Sequence, residues 1–119
     1  GRTVCTINKE IIMTVKELAE RIGLTFVTEV DTREVKGCYI GDLLSWVMGR
    51  AESMSAWITI MNNVNIVAVA ALADVSCIIL AEGVSVSDEV KEKAKTQGVN
   101  ILSSGKTAYE LAAEISQLI

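Results

Sequence analysis

Histidine and proline are both missing from this 119-residue chain, and cysteine and aromatic residues are scarce. Without histidine, a His-ligated zinc site, a Ser-His-Asp triad and a Cys-His dyad are all excluded. Without proline, every turn has to be made by Gly, Asn, Asp and Ser. The three cysteines, Cys5, Cys38 and Cys77, are odd in number, far apart and free of any C-x-x-C spacing. Cys77 sits in an apolar run, where a free cysteine behaves as a small hydrophobe. Clusters of Lys and Arg are also lacking, and the formal charge is −4, which argues against nucleic acid or an anionic membrane as the main partner. The longest apolar run, Ile66 to Ala73, falls far short of the ~20 residues a bilayer span needs. No signal-peptide pattern opens the chain, so the expected location is the cytoplasm.

What is present is a chain half of whose residues are apolar, long enough to bury roughly two-thirds of its unfolded surface as one domain without a metal or disulfide. Its organising stretch is Trp57 to Leu80. Ile58, Thr59 and Ile60 read as a strand, Asn62-Asn63 as a tight polar turn, Val64 to Ala73 as an apolar, Ala-rich helix, and Cys77 to Leu80 as a second strand. Both strands are short and apolar nearly throughout, as expected of parallel strands covered on both faces.

Upstream, Thr14-Val15-Lys16-Glu17 is a capping box, and Val15, Leu18, Ala19 and Ile22 repeat at helical spacing before Gly23 ends the helix. Leu24 to Thr28 reads as a strand, Asp31-Thr32-Arg33 as a turn, and Val35 to Ile40 as a strand interrupted by Gly37. Asp42 is placed to cap the next helix, whose apolar face is Leu43, Leu44, Val47 and Met48 and which Gly49 is expected to stop. Downstream, Ser87 followed by Asp88 and Glu89 opens a helix with Lys91, Lys93 and Lys95 further along, matching the dipole at both ends until Gly98. Val99 to Leu102 is a further strand. A second capping box, Thr107-Ala108-Tyr109-Glu110, starts a last helix with Ala108, Leu111, Ala112, Ile115 and Leu118 on one face. Consecutive β-then-α units predict a three-layer α/β fold around a mainly parallel sheet with right-handed crossovers.

Residues 1–12 show no clear period. Lys9-Glu10 can be encoded AAG-GAG, a purine-rich ribosome-binding sequence shortly before Met13. The expectation is that residues 1–12 are a leader or N-terminal extension and that 13–119 form the single domain; different codons at those two positions would end the idea.

In such a sheet the usable crevice lies beyond the carboxyl ends of the strands, where loops meet helix N-termini. Three loops are expected to converge there: Asn62-Asn63, Ala81-Glu82-Gly83, and Ser103-Ser104-Gly105-Lys106-Thr107. The candidate ligand-binding residues are therefore Asn62, Asn63, Glu82, Gly83, Ser103, Ser104, Gly105, Lys106 and Thr107. Gly105-Lys106-Thr107 matches the end of a phosphate-binding loop, G-x-x-x-x-G-K-[ST], but the motif's first glycine falls on Asn100. A Thr107 cap after a flexible turn, or weak anion binding at the helix start, are the other readings. Asn62-Asn63 reads as a turn and N-cap ahead of a ligand contact, and Glu82-Gly83 as a turn needing positive φ with Glu82 exposed. No pair of carboxylates with separable pKa values can be picked out, so no catalytic residue is assigned, and no metal or cofactor is expected.

Val15-Lys16-Glu17-Leu18-Ala19, Asp42-Leu43-Leu44, Trp57-Ile58-Thr59-Ile60 with Asn65-Ile66-Val67-Ala68-Val69-Ala70, and Ile101-Leu102-Ser103 with Tyr109-Glu110-Leu111-Ala112 together resemble the DRTGG domain family, itself similar to the N-terminal domain of HPr kinase/phosphorylase. The resemblance runs from Thr14 to the C-terminus. It implies a free-standing small protein or a regulatory, dimer-forming unit of the kind that elsewhere accompanies nucleotide-sensing CBS modules or acyltransferases. The family's Asp-Arg would fall at Asn62-Asn63 and its Thr-Gly-Gly at Ala81-Glu82-Gly83, so only Gly83 is retained; loss of the Arg would remove an anion's charge partner, and Glu82 would repel it. The HPr serine kinase label sometimes given to members rests on a phosphate loop in another domain that this sequence does not match.

The leading expectation is a non-catalytic regulatory or ligand-sensing module. It is expected to be a homodimer, taking a small molecule or nucleotide, or a partner protein, at the strand-end crevice. The alternative is a purely structural interaction domain with no pocket, in which Trp46 and Met48 supply a subunit interface. An enzyme using carboxylates and Lys106 is the third reading.

Overall fold

The fold follows from where short apolar strands can be covered. In the computed structural model, which describes residues 12–119, five helices and five strands follow one another over the described residues, alternating from β2 onward: α1 (Val15–Ile22), β1 (Thr25–Thr28), β2 (Gly37–Ile40), α2 (Leu44–Arg50), β3 (Ser55–Thr59), α3 (Asn65–Ala73), β4 (Cys77–Leu80), α4 (Asp88–Gln97), β5 (Ile101–Ser103) and α5 (Ala108–Ser116). Cys5 and all but the last residue of the expected leader lie outside the described residues.

The strands form one sheet in the order β1-β5-β4-β3-β2. From β2 to β5 the pairing is parallel, and only β1 joins antiparallel, on β5. Every residue of β3 and β4 is buried, as fits strands with helices on both faces. Alternation along the strands divides the core in two. Trp57, Ile78, Leu80 and Ile101 meet Val47 of α2, Ile66 and Val67 of α3, and Val90 and Ala94 of α4. Ala56, Ile58, Cys77, Ile79 and Leu102 meet Leu18 and Ile22 of α1 and Leu111 and Ile115 of α5. Since β2, β3, β4 and β5 step one way across the sheet, a constant crossover hand places α2, α3 and α4 together on one face. The chain then turns to the opposite face for α5.

Local signals set the helix ends as read from sequence. Thr14 and Thr107 each make both halves of a capping box, Ser87 accepts from the Val90 amide, and Gly23 and Gly98 stand in the left-handed region after α1 and α4. Several expectations are corrected. Asp42 does not cap α2, whose N-cap is Leu43 without a side-chain bond; its Oδ1 instead accepts from Thr59 Oγ1 at 2.7 Å and the Ile60 amide at 3.0 Å, latching the loop after β2 to the end of β3. Gly49 does not stop α2, which runs on to Arg50; the guanidinium of Arg50 lies 3.6 Å from the centroid of the Trp46 ring, an attraction that holds the last turn. The strand expected from Val35 begins at Gly37, because Glu34 is bridged antiparallel to Thr14 and Val35 donates to the Met13 carbonyl.

β5 begins at Ile101, two residues later than the apolar run suggests, because Asn100 is a buried polar clamp. Its Oδ1 accepts from the amides of Val30 at 2.8 Å and Asp31 at 3.0 Å, and its Nδ2 donates to the carbonyls of Asp31 at 2.6 Å and Ser76 at 3.1 Å. Nearby, Thr28 Oγ1 donates to the Val99 carbonyl and accepts from the Ile101 amide where the β1–β5 register shifts. At this same amino-terminal edge, the Ser53 hydroxyl and then the Arg33 guanidinium hold the Asp74 carboxyl below the usual carboxylate range. Cys77 is buried, and burial first of all pushes its thiol up to about 12, which leaves it without thiolate character, a small hydrophobe as read from sequence.

Truncation of Asn100 strips partners from several half-buried backbone groups at once. Asn100→Ala is expected to destabilise the fold by about 2–4 kcal/mol, read as a lower urea midpoint at unchanged m-value; a loss within error would show that the amide clamps nothing.

Candidate functional site

The carboxyl ends of β3, β4 and β5 share one rim. After β4 the chain passes to α4 on one face of the sheet, and after the adjacent β5 it passes to α5 on the other. Such divergence between neighbouring parallel strands opens a crevice at their ends. In this molecule the two loops are sewn together across it. The Glu82 amide donates to the Lys106 carbonyl at 2.8 Å, the Gly83 amide to the Ser104 carbonyl at 2.9 Å, and the Ser104 amide to the Leu80 carbonyl at 3.0 Å. Both Glu82 and Gly83 have positive φ, 60° and 74°. That conformation turns successive amides toward the neighbouring loop, and glycine adopts it without the strain a side chain brings.

The nine candidate residues divide into those that face open space and those with side chains engaged elsewhere. Gly83, Ser103, Ser104 and Gly105 line a cleft of about 460 Å³, within the usual range for small-molecule sites. Its remaining walls are Gly23, with Thr25, Phe26 and Val27 of β1, and Val84 to Val86, with Lys91 of α4. The antiparallel register brings the start of β1 here, with Thr25 opposite Ser103. Ser104 Oγ accepts from the Lys106 amide at 3.0 Å, so its own proton remains to donate.

The others serve the loops themselves. Asn62 Nδ2 donates to the Ser85 carbonyl at 3.0 Å, tying the loop after β3 to the loop after β4. Asn63 Oδ1 accepts from the Asn65 amide at 2.9 Å, an Asx turn leading into α3. Glu82 is exposed, and Thr107 is engaged in its capping box. Lys106 Nζ lies 2.7 and 2.9 Å from the Glu114 carboxylate oxygens and 3.2 Å from the Ile22 carbonyl. A cation on the last carbonyls of α1 interacts favourably with that helix's dipole, so Lys106 straps α5 to α1 and its ammonium is engaged there.

Sequence reasoning missed the β1 wall and Lys91. Lys91 falls on the first turn after the Ser87 cap and was legible as a helix residue close to the rim. The β1 contribution carries no local signal, since it depends on pairing across the whole domain. Among the described residues no group of three or more Cys, Asp and Glu is placed to hold a metal ion, and no helix is long and apolar enough to cross a membrane.

Three comparisons bear on the whole chain. The model of the DRTGG domain family matches residues 17–118. No curated protein matches. Among solved structures, the CBS and DRTGG domains of the regulatory region of Clostridium perfringens pyrophosphatase, complexed with the activator diadenosine tetraphosphate, superpose with a TM-score of 0.72 at 14% identity. That match covers 88% of this chain and 46% of the other, so this chain corresponds to less than half of its neighbour, and at that identity the likeness is one of fold.

The strap is open to test. Both of its side chains are more than a third exposed, at 39% and 38%, so solvent screens the pair. Lys106→Met is expected to lower stability by no more than about 1 kcal/mol in urea denaturation, and an unchanged midpoint would assign the contact no structural weight.

Proposed function

Because this chain belongs to the DRTGG domain family, we propose that it is a non-catalytic, cytoplasmic regulatory module that takes a small anionic ligand in the cleft between β1, the β4–α4 loop and the β5–α5 loop. The observation that carries this reading is the cleft itself, placed where adjacent loops leave for opposite faces of the sheet and lined by Gly83, Ser103, Ser104 and Gly105. The fold neighbour supports it by analogy, being part of a regulatory region bound to a nucleotide activator. The two loops and β1 form the walls of the site, and the chemistry required of it is recognition.

A second copy of the chain is the proposed partner. Leu43, Trp46 and Met48 are 59%, 51% and 43% exposed, although all three lie on or beside α2 and are large and apolar. Large contiguous apolar patches on a protein surface mark protein–protein contacts. The same surface supports the alternative reading, a purely structural interaction domain or a docking site for another protein, in which the cleft stays empty.

Thermal-shift measurements separate the two readings. Adenosine nucleotides, diadenosine tetraphosphate and small phosphorylated metabolites are the compounds to screen; a true ligand at a hundred times its Kd adds about 2.7 kcal/mol, a rise of several degrees in Tm. If no compound moves the transition, sensing loses its support and the structural reading stands.

Sedimentation tests the assembly. The wild-type chain is expected to run as a dimer at micromolar concentration and Trp46→Glu as a monomer, whereas a monomeric wild type removes the dimer from the proposal.

A further inference from the structure

A ligand site in the cleft, the reading on which this assignment rests, needs a group to meet the ligand's charge. Lys106 is held by Glu114 and the Ile22 carbonyl, and the amides of Glu82 and Gly83 already donate to the opposite loop. Among the described residues, the one cationic side chain lining the cleft is Lys91. Its Nζ has an acidic neighbour in Asp88 Oδ1 at 3.8 Å, and that carboxylate is almost fully exposed, so the contact is weak and readily exchanged for a better one.

We propose that Lys91 is the specificity-determining cation of this site, and that the cleft takes a small molecule carrying one anionic group, a phosphate monoester or a carboxylate, in preference to a polyphosphate. One ammonium and the free proton of the Ser104 hydroxyl suit a single anionic group. Further negative charge finds no second cation among the described lining residues. It meets instead the exposed carboxylate of Asp88, 3.8 Å from Lys91 Nζ, with that of Glu82 next in the chain to the lining residue Gly83, and like charges brought together are unfavourable. The site therefore selects by charge count.

Calorimetric titration of the full chain with adenosine monophosphate, glycerol 3-phosphate and ATP tests this, using Lys91→Gln, Lys91→Arg and, as a charge-matched control on the same helix, Lys95→Gln. The monophosphates are expected to bind wild type more tightly than ATP does. Loss of a charge-assisted hydrogen bond should weaken monophosphate binding about tenfold or more in Lys91→Gln, with most of the affinity kept in Lys91→Arg and all of it in Lys95→Gln. Equal melting temperatures for wild type and Lys91→Gln show that the variant is folded. Binding by wild type that survives in Lys91→Gln, falls equally in Lys95→Gln, or favours ATP overturns the assignment while leaving the cleft a ligand site. No binding of any probe by wild type overturns both.

Discussion

The buried carboxamide of Asn100 is the interaction on which the geometry of the rest depends. A sheet with helices on both faces has few ways to satisfy backbone groups where a strand joins from outside the repeating pattern, and β1 is such a strand. It runs against the direction of β5, and the segment that leaves it, Val30 and Asp31, arrives among the amino ends of β4 and β5 with amides and a carbonyl that need partners. Asn100 offers two acceptor sites and two donors at that point, which an apolar residue cannot. Thr28 completes the junction with one bond in each direction. With its far end so anchored, β1 stands beside β5 along its length, and its near end becomes a wall of the cleft.

The same residue shows why the phosphate-loop resemblance of Gly105-Lys106-Thr107 does not extend. The position that motif reserves for a glycine, where backbone must approach an anion, is used here to hold two distant parts of the chain together. Lys106, the motif's cation, serves a second junction, between the end of α1 and the last turn of α5. What resembles nucleotide-binding chemistry along the chain is structural chemistry in the fold.

The elements that could be read from the sequence are those whose causes are local. The two capping boxes, the Ser87 cap, the left-handed residues at Gly23 and Gly98 and the buried faces of α1 and α5 each follow from a few consecutive residues, and the structure has them where they were expected. The βα succession likewise implied a parallel sheet. Illegible were the features that arise from partners far away in the chain: Asp42 latching β3 in place of capping α2, Arg50 carrying α2 past Gly49 by stacking on Trp46, the direction of β1, and the Lys106 bridge to α1. The rim was legible as three loops, but which side chains face the cleft was decided by these long-range pairings, so Gly83, Ser103, Ser104 and Gly105 stand open while Asn62, Asn63 and Thr107 are absorbed into turns and caps.

The amide-to-carbonyl bonds from Glu82 and Gly83 to Lys106 and Ser104 have a mechanical meaning. The loops they join lead to α4 and α5, which lie on opposite sides of the sheet. A rigid sheet would otherwise insulate these two surfaces from one another. The seam gives them a shared boundary: the loop that enters one helical layer and the loop that enters the other are tied to each other by backbone bonds at the rim.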